Sequence, residues 1–313
     1  MIQLFRPHGQ AITIDPYADI DLSESSITWL HITDPGPIEY NFLYEKFRFE
    51  ESAIDECLDP EHFPRYEEFE NCIFMVTFYL LPSPENLFHT RELNIFAGKD
   101  FLVTISKNTF PCLKILCEKV KRGGIKSPEI LLFEVLDQLN ESFVRTVEKF
   151  ELRLDSLEQA LFKENDSLIL STVLEYKSQL RNLRRLLIPQ RDVLYRISNI
   201  DHIVFSKKGR LQIRNAFDQL SYQALLVDSY LENMSSLVSV YHSQAATSMN
   251  EIIKTLTMIS TIVLPLSLIV GYYGMNFRHF PELDWKMGLP AVWTLMTVLA
   301  IGLLIYFRRK KWL

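Results

Sequence analysis

The pattern of apolar and polar positions changes character along the chain. Up to about residue 125, short β-like runs alternate with helical pieces. Residues 28–33 (Thr-Trp-Leu-His-Ile-Thr) read as a strand, closed by the turn-forming Asp34-Pro35-Gly36-Pro37. Residues 38–46 and 51–58 predict helices, whereas 72–81, 92–96 and 100–106 predict three strands with turns at 82–86 and 98–99. Helices interspersed with strands make residues 1–125 an α/β domain. After Gly123-Gly124 the texture becomes helical. Ser127-Pro128-Glu129 is a helix start. From there to Asn199, apolar residues recur at 3/4 spacing among Leu, Glu, Arg and Lys, with a break near Asn165-Asp166. Residues 126–208 therefore predict a helical hairpin, its second arm kinked at Pro189. Gly209 punctuates the pattern again. No Gly or Pro follows until Pro265, so one continuous helix is expected over 210–273, roughly 95 Å long at about 1.5 Å per residue.

That helix runs into a segment of a different kind. Residues 255–277 contain no charge, and neither do residues 287–307. A bilayer core is about 30 Å thick and takes about 20 apolar residues in a helix. Both runs qualify. The chain ends Arg308-Arg309-Lys310-Lys311-Trp312-Leu313, whereas the charges of the connecting loop, Arg278, Glu282, Asp284 and Lys286, cancel. The positive-inside rule keeps the C-terminus in the cytoplasm, and two spans return the N-terminal body to the same side. The expected location is the inner (plasma) membrane, with both termini cytoplasmic.

Charge and composition narrow the partners. The net charge is −6; the residues beyond 254 carry +4, which leaves −10 on the first 254. An acidic body argues against nucleic acid and for cations. Four cysteines (Cys57, Cys72, Cys112, Cys117) form no CxxC pair and fit a reducing compartment, and the opening ten residues lack a secretory signal's apolar run. No G-x-S-x-G, HExxH, P-loop or GxGxxG is present, so an enzyme is not expected.

Two spans cannot enclose a polar path, so conduction needs several subunits around an axis. Asn250, Thr257, Ser260 or Thr261, Ser267, Gly271 and Gly274 follow steps of 3, 4 and 7 and share one stripe of the first span. Such a stripe suits helix packing or a pore lining, and spacing leaves both open.

The end of the first span is more specific. Tyr273-Gly274-Met275-Asn276-Phe277, followed by Pro281-Glu282-Leu283, a second span and a basic tail, resembles the CorA family of magnesium channels and transporters. Arg65-Tyr66-Glu67-Glu68-Phe69-Glu70-Asn71 also resembles a family segment that precedes a strand. The resemblance implies a funnel-shaped homopentamer. Its parts would be a cytoplasmic α/β domain (1–125), a helical hairpin (126–208) and a long stalk helix entering the membrane (209–277, with 255–277 inside). An external loop (278–286), a second span facing lipid (287–307) and a basic tail (308–313) would complete it. Substrates in the family are Mg²⁺ and, in many members, Co²⁺ or Ni²⁺.

The same resemblance assigns roles to residues. Gly274, Met275 and Asn276 would form the selectivity filter, five Asn276 carboxamides accepting hydrogen bonds from the waters of a hydrated Mg²⁺. The residues suit such an ion, because Mg²⁺ sheds water reluctantly and no carboxylate lies in the first span. Below the filter, Asn250, Thr257, Ser260, Ser267 and Gly271 would line the path, and Ile253, Leu256 and Leu264 would form apolar collars that gate by dewetting. Ile253 and Leu264 stand where some members carry methionine. Glu282 would concentrate cations at the outer mouth. Asp55 and Glu56 occupy a helix that carries an acidic pair in relatives, and Asp218 matches one of two stalk aspartates; the other falls on Asn215. These four would form a cytoplasmic Mg²⁺ site between subunits that holds the channel closed. No organic cofactor is implied. The competing readings are a ZntB-type zinc transporter of the same superfamily, a membrane-anchored enzyme, and a metal-binding membrane oligomer that does not conduct. Ile replaces Met275 in the zinc motif, and zinc favours His or Cys, of which only His279 lies near the mouth.

Overall fold

The structure, a computed structural model, describes residues 2–5, 12–14, 28–58, 63–83, 86–125, 127–163, 167–275 and 285–312. They divide into two compact units, Met1–Leu237 and Val238–Leu313. In the first unit, β1 (Ile2–Phe5), β2 (Ile12–Ile14), β3 (Thr28–Thr33), β4 (Arg65–Glu68), β5 (Cys72–Pro82), β6 (Phe88–Gly98) and β7 (Phe101–Ser106) form one sheet. Its order is β2-β1-β3-β7-β6-β5-β4. Only β3 and β7 run parallel; the other neighbours are antiparallel. Around it lie α1 (Pro37–Phe47), α2 (Glu51–Leu58), α3 (Pro111–Lys121), α4 (Pro128–Lys163) and α5 (Ser167–Asn199).

The α/β reading of this region holds, and the sheet is larger than its pattern suggested. β6 extends beyond the expected 92–96 at both ends, whereas β1, β2 and β4 add strands of 4, 3 and 4 residues. Strands this short carry too few alternations to stand out. β4, Arg-Tyr-Glu-Glu, is also the charged edge that a sheet needs to avoid pairing with strangers. It covers β5 only from Ile73 to Val76. Beyond that point helices supply the partners: Phe78 N–H donates to Gln190 Oε1 (3.4 Å) and Leu80 N–H to Ser142 Oγ (3.1 Å). α4 and α5 are thereby tied to the backbone of β5.

The core is aromatic. Phe49 stacks on Phe96 with ring centroids 4.1 Å apart, and Phe74 lies 4.6 Å from Phe96. Beside it a polar cluster is sealed between β3 and β7. Trp29 Nε1 donates to Thr104 Oγ1 (3.0 Å), which is also 3.0 Å from His31 Nδ1; Thr33 Oγ1 is 3.1 Å from His31 Nε2.

α6 (Lys207–Tyr273) begins in the first unit and ends in the second. It opens on a cap, Gly209 N–H donating to Ser206 Oγ at 3.0 Å. Gly209 was expected to interrupt the helical pattern; instead it lies inside α6. A Cβ there would collide with Glu129 and Phe133 of α4, so the glycine serves close helix approach rather than a break. α5 likewise runs through Pro189 as one helix. The second unit holds the remainder of α6 and α7 (Gly288–Arg309). These are the two helices among the described residues long and apolar enough to cross a membrane.

His31 makes a prediction. Burial holds its imidazole down at about 4, against an ordinary 6.5. Between those values the unfolded chain binds a proton that the folded chain refuses, so stability is complete above about pH 6.5 and falls as pH drops toward 4. Chemical denaturation from pH 7 to 4.5 is expected to lose up to ~1.4 kcal/mol per pH unit through this group, and His31→Gln to remove that part of the slope. An unchanged slope in the variant would place the acid sensitivity elsewhere.

Candidate ion pathway and cation-sensing site

At about 100° per residue, Asn250, Ile253, Leu256, Thr257, Ser260, Leu264, Ser267, Gly271 and Gly274 fall within an arc of roughly 120° on α6. Eight of the nine are exposed and Ser260 is half-buried. The half-buried positions Lys254, Met258, Ile262, Pro265, Ile269 and Tyr273 recur at 3/4 spacing on the opposite side. Lys254 Nζ donates to the Lys311 carbonyl just past α7 (3.1 Å), so this end of α6 meets the basic end of α7.

Two hydroxyl protons on and beside the stripe are already engaged. Thr257 Oγ1 donates to the Ile253 carbonyl one turn below (2.7 Å), as Thr261 does to that of Thr257 (2.7 Å). A hydroxyl so engaged keeps its lone pairs and can only accept from anything beside it. Gly271 has open space where a Cβ would stand, so packing within the chain does not require its small size. At the C-terminal end, Gly274 N–H closes the last α-turn on Val270 (2.9 Å), and Met275 N–H tightens it onto Tyr272 (3.4 Å). The helix dipole directs its negative end to this point, which favours cations. Asn276, Glu282 and most of the 278–286 loop lie outside the described residues.

The regulatory candidates occupy separate elements. Asp55 is exposed on α2, and Glu56 beside it forms an ion pair with Arg65 of β4. Glu56 is therefore already matched with a cation of its own chain. Asn215 and Asp218 are both exposed on α6. Among the described residues, no three His, Cys, Asp or Glu gather into a metal-sized group. Asn215, however, lines a cavity of about 310 Å³ between α4 and α6 together with Glu134 and Asp137. Burial, followed by the charges of Glu134 and Glu141, pushes the Asp137 carboxyl above its ordinary range; Lys119, paired with Glu134 at 2.7 Å, offsets part of this. Glu134 and Asp137 did not emerge as candidates from the sequence. The 3/4 spacing of Glu134, Asp137 and Glu141 along one side of the helix was the available signal.

A sheet domain continuous through one helix with two span-length helices, the first bearing an uncharged stripe, has the architecture of a membrane protein. A family model described as CorA-like Mg²⁺ transporter protein matches residues 24–309, and the chain belongs to that family. It is 32% identical over 304 residues to YfjQ of Bacillus subtilis, covering 95% of this chain and 93% of that one. It is 28% identical over 296 residues to the cobalt/magnesium transport protein CorA of Thermotoga maritima, covering 92% and 84%. Its fold matches the complete structure of the CorA magnesium transporter from Methanocaldococcus jannaschii with a TM-score of 0.86 at 24% identity, over 100% of this chain and 99% of that one. Members of the family are ion transporters, not enzymes.

Asp137 supplies the test of the cavity. Its raised pKa means that the fold disfavours the ionised carboxylate, so this group lowers stability at neutral pH and lowers it less as pH falls. Asp137→Asn is expected to raise the melting temperature in divalent-free buffer at pH 7.5. The rise should be small, ~1–2 °C, because the carboxyl is only partly withdrawn from water and still screened, and Mg²⁺ should stabilise the variant less than the parent. A variant that Mg²⁺ stabilises as strongly as the parent would exclude Asp137 from cation binding.

Proposed function

We propose that the protein is a homopentameric channel for Mg²⁺, and for Co²⁺ and Ni²⁺, that admits the ion to the cytoplasm down its electrochemical gradient. The observation that carries this reading is the stripe on α6. Its six polar or small positions, Asn250, Thr257, Ser260, Ser267, Gly271 and Gly274, are uncharged and all but Ser260 are exposed, on a segment otherwise suited only to lipid or to other helices. Five copies facing an axis remove it from lipid and make a continuous path. The neutral lining suits a hydrated divalent ion, because it holds the ion weakly enough for it to leave. Asn276, with Gly274 and Met275, forms the filter; Ile253, Leu256 and Leu264 form the collars; Glu282 sits at the outer mouth.

Orientation is supported by the basic end shared by the two spans. Lys254, Arg308, Arg309, Lys310 and Lys311 lie there, which favours the cytoplasmic face. At about 2.3 kcal/mol per charge per 100 mV, an inward-negative potential gives a divalent ion about 4.6 kcal/mol on entry. No nucleotide-binding motif is present in the sequence to supply another drive.

Gating belongs to the acidic body. Mg²⁺ bound between subunits by Asp55, Glu56, Asp218 and Asn215 holds neighbouring domains together and keeps the collars narrow. When cytoplasmic Mg²⁺ falls, like-charge repulsion loosens the boundary. Two features modify this picture. Arg65 competes for Glu56, which makes Asp55 the freer ligand. Glu134 and Asp137 also place carboxylates beside Asn215, restoring the negative charge that an asparagine lacks.

Ion flux into liposomes of purified protein is the direct test, comparing Mg²⁺, Co²⁺, Ni²⁺ and Zn²⁺ with and without an imposed potential. Mg²⁺ uptake that grows with the potential is expected. No flux would leave a metal-binding oligomer, and dominant Zn²⁺ flux would replace the magnesium reading with a ZntB-type one. Asn276→Ala is expected to abolish Mg²⁺ uptake while the protein still assembles, since it removes the filter amides. Normal uptake by the assembled variant would remove Asn276 from selectivity.

Replacing Asp55, Glu56 and Asp218 together by Asn, Gln and Asn tests regulation. Currents should become less inhibited by internal Mg²⁺, and Mg²⁺ should protect the chain less from proteolysis. A triple variant with the parent's inhibition curve would place the sensor elsewhere, the Glu134/Asp137 cavity first.

A further inference from the structure

The first unit holds a second cavity that ion conduction does not use. Its volume is about 190 Å³, and it opens where β3 and β7 end, with Pro35 on one side and Ser106, Lys107 and Asn108 on the other. These are the carboxyl ends of the one parallel strand pair among the described residues. In α/β sheets that edge is where ligands bind.

Its floor is polar and sealed. Asn94 on β6 is 3% exposed; its Nδ2 donates to Glu92 Oε1 at 2.9 Å, which fixes the direction of the amide. Asn94 Oδ1, buried on the other side, has no hydrogen-bond partner within the chain. A buried acceptor left without a donor is destabilising, so it calls for a ligand or water. Glu92 adds negative charge at the same place. Burial, then the neighbouring Cys57 and Glu92, pushes the Tyr40 hydroxyl up, and burial with Glu92 does the same to the Cys57 thiol. The floor therefore offers acceptors and a carboxylate to a donor carrying positive charge.

The rim has the opposite sign. Arg91 is anchored by donating to the Thr109 carbonyl, and Lys107 is exposed. A bare metal cation is poorly served by two cations at the entrance and one carboxylate inside; a molecule carrying both charges suits the gradient. The volume limits its size. At about 30 Å³ per water the cavity takes about six, and it is smaller than the about 300–1,000 Å³ of sites for drug-sized ligands.

We propose that this cavity binds a small zwitterion of amino-acid size, its protonated amine held by Asn94 Oδ1 and the Glu92 carboxylate and its anionic group by Arg91 and Lys107. The ligand would also touch the wall formed by Tyr40 and Cys57. Tyr40 donates to the Cys57 carbonyl (3.0 Å), and Cys57 lies on α2, the helix that carries Asp55 and Glu56.

Isothermal titration of the full-length protein in detergent decides the matter. The probes are serine, γ-aminobutyrate and phosphoethanolamine, with ethanolamine, acetate and Mg²⁺ as single-charge or metal controls. At least one zwitterion is expected to bind saturably at one site per chain, at least tenfold more tightly than ethanolamine or acetate. Asn94→Leu should weaken it at least tenfold. Lys107→Ala, at the exposed rim and away from the core, should weaken it several-fold and keeps the test valid if the buried substitution unfolds the domain. Absence of heat from all three zwitterions overturns the proposal, as does ethanolamine binding as tightly as phosphoethanolamine. Parental affinity in the Lys107 variant also overturns it, as does competition by Mg²⁺ for the same site.

Discussion

A span-length apolar window that the chain leaves wholly unburied must find its solvent outside the chain. In α6 that window has none of its residues buried, and in α7 only 6%. Lipid satisfies most of this surface, and a helix satisfies its own backbone there. What lipid does not satisfy is the arc from Asn250 to Gly274, where an amide, hydroxyls and glycines interrupt the hydrocarbon. Such an arc is better matched by a polar neighbour or water than by lipid, which is the constraint the proposed assembly answers. The sheet domain does not share the constraint. It closes on its own aromatic core and ties its helices to β5 through Gln190 and Ser142.

The large features were legible in the sequence because each rests on a long or dense signal. An uncharged run over 255–277 cannot be mistaken for a surface helix, and Asp34-Pro35-Gly36-Pro37 can only turn. The smaller failures share a cause. Gly209 was read from its backbone freedom, whereas its position is decided by the side chains of Glu129 and Phe133 nearly eighty residues away. β4 is short and charged, so its strand character comes from pairing with β5 rather than from its own pattern. Glu134 and Asp137 gain meaning only when α6 brings Asn215 beside them. The Tyr273–Phe277 motif was legible because its resemblance rests on residue identity and on its place at the end of a span, not on packing.

Glu56 shows how a motif and its surroundings can disagree in emphasis. By position it is half of an acidic pair; by contact it is the counter-ion of Arg65. A carboxylate already matched with a guanidinium gains less from a metal than a bare one does, since the guanidinium must first be displaced or left unpaired. Sensing in this chain would thus be shared over more groups than the acidic pair alone, with α4 contributing through Glu134 and Asp137.

The threonines of α6 carry one more consequence. Because their protons are spent on the carbonyls one turn below, they present only oxygen lone pairs. Water around a cation turns its hydrogens outward, whereas water around an anion turns its oxygens outward. Thr257, the one of them on the stripe, therefore suits the first kind of hydration shell and meets the second oxygen against oxygen. A hydroxyl held this way can discriminate between ions by sign through the orientation of the water they carry, without a formal charge of its own.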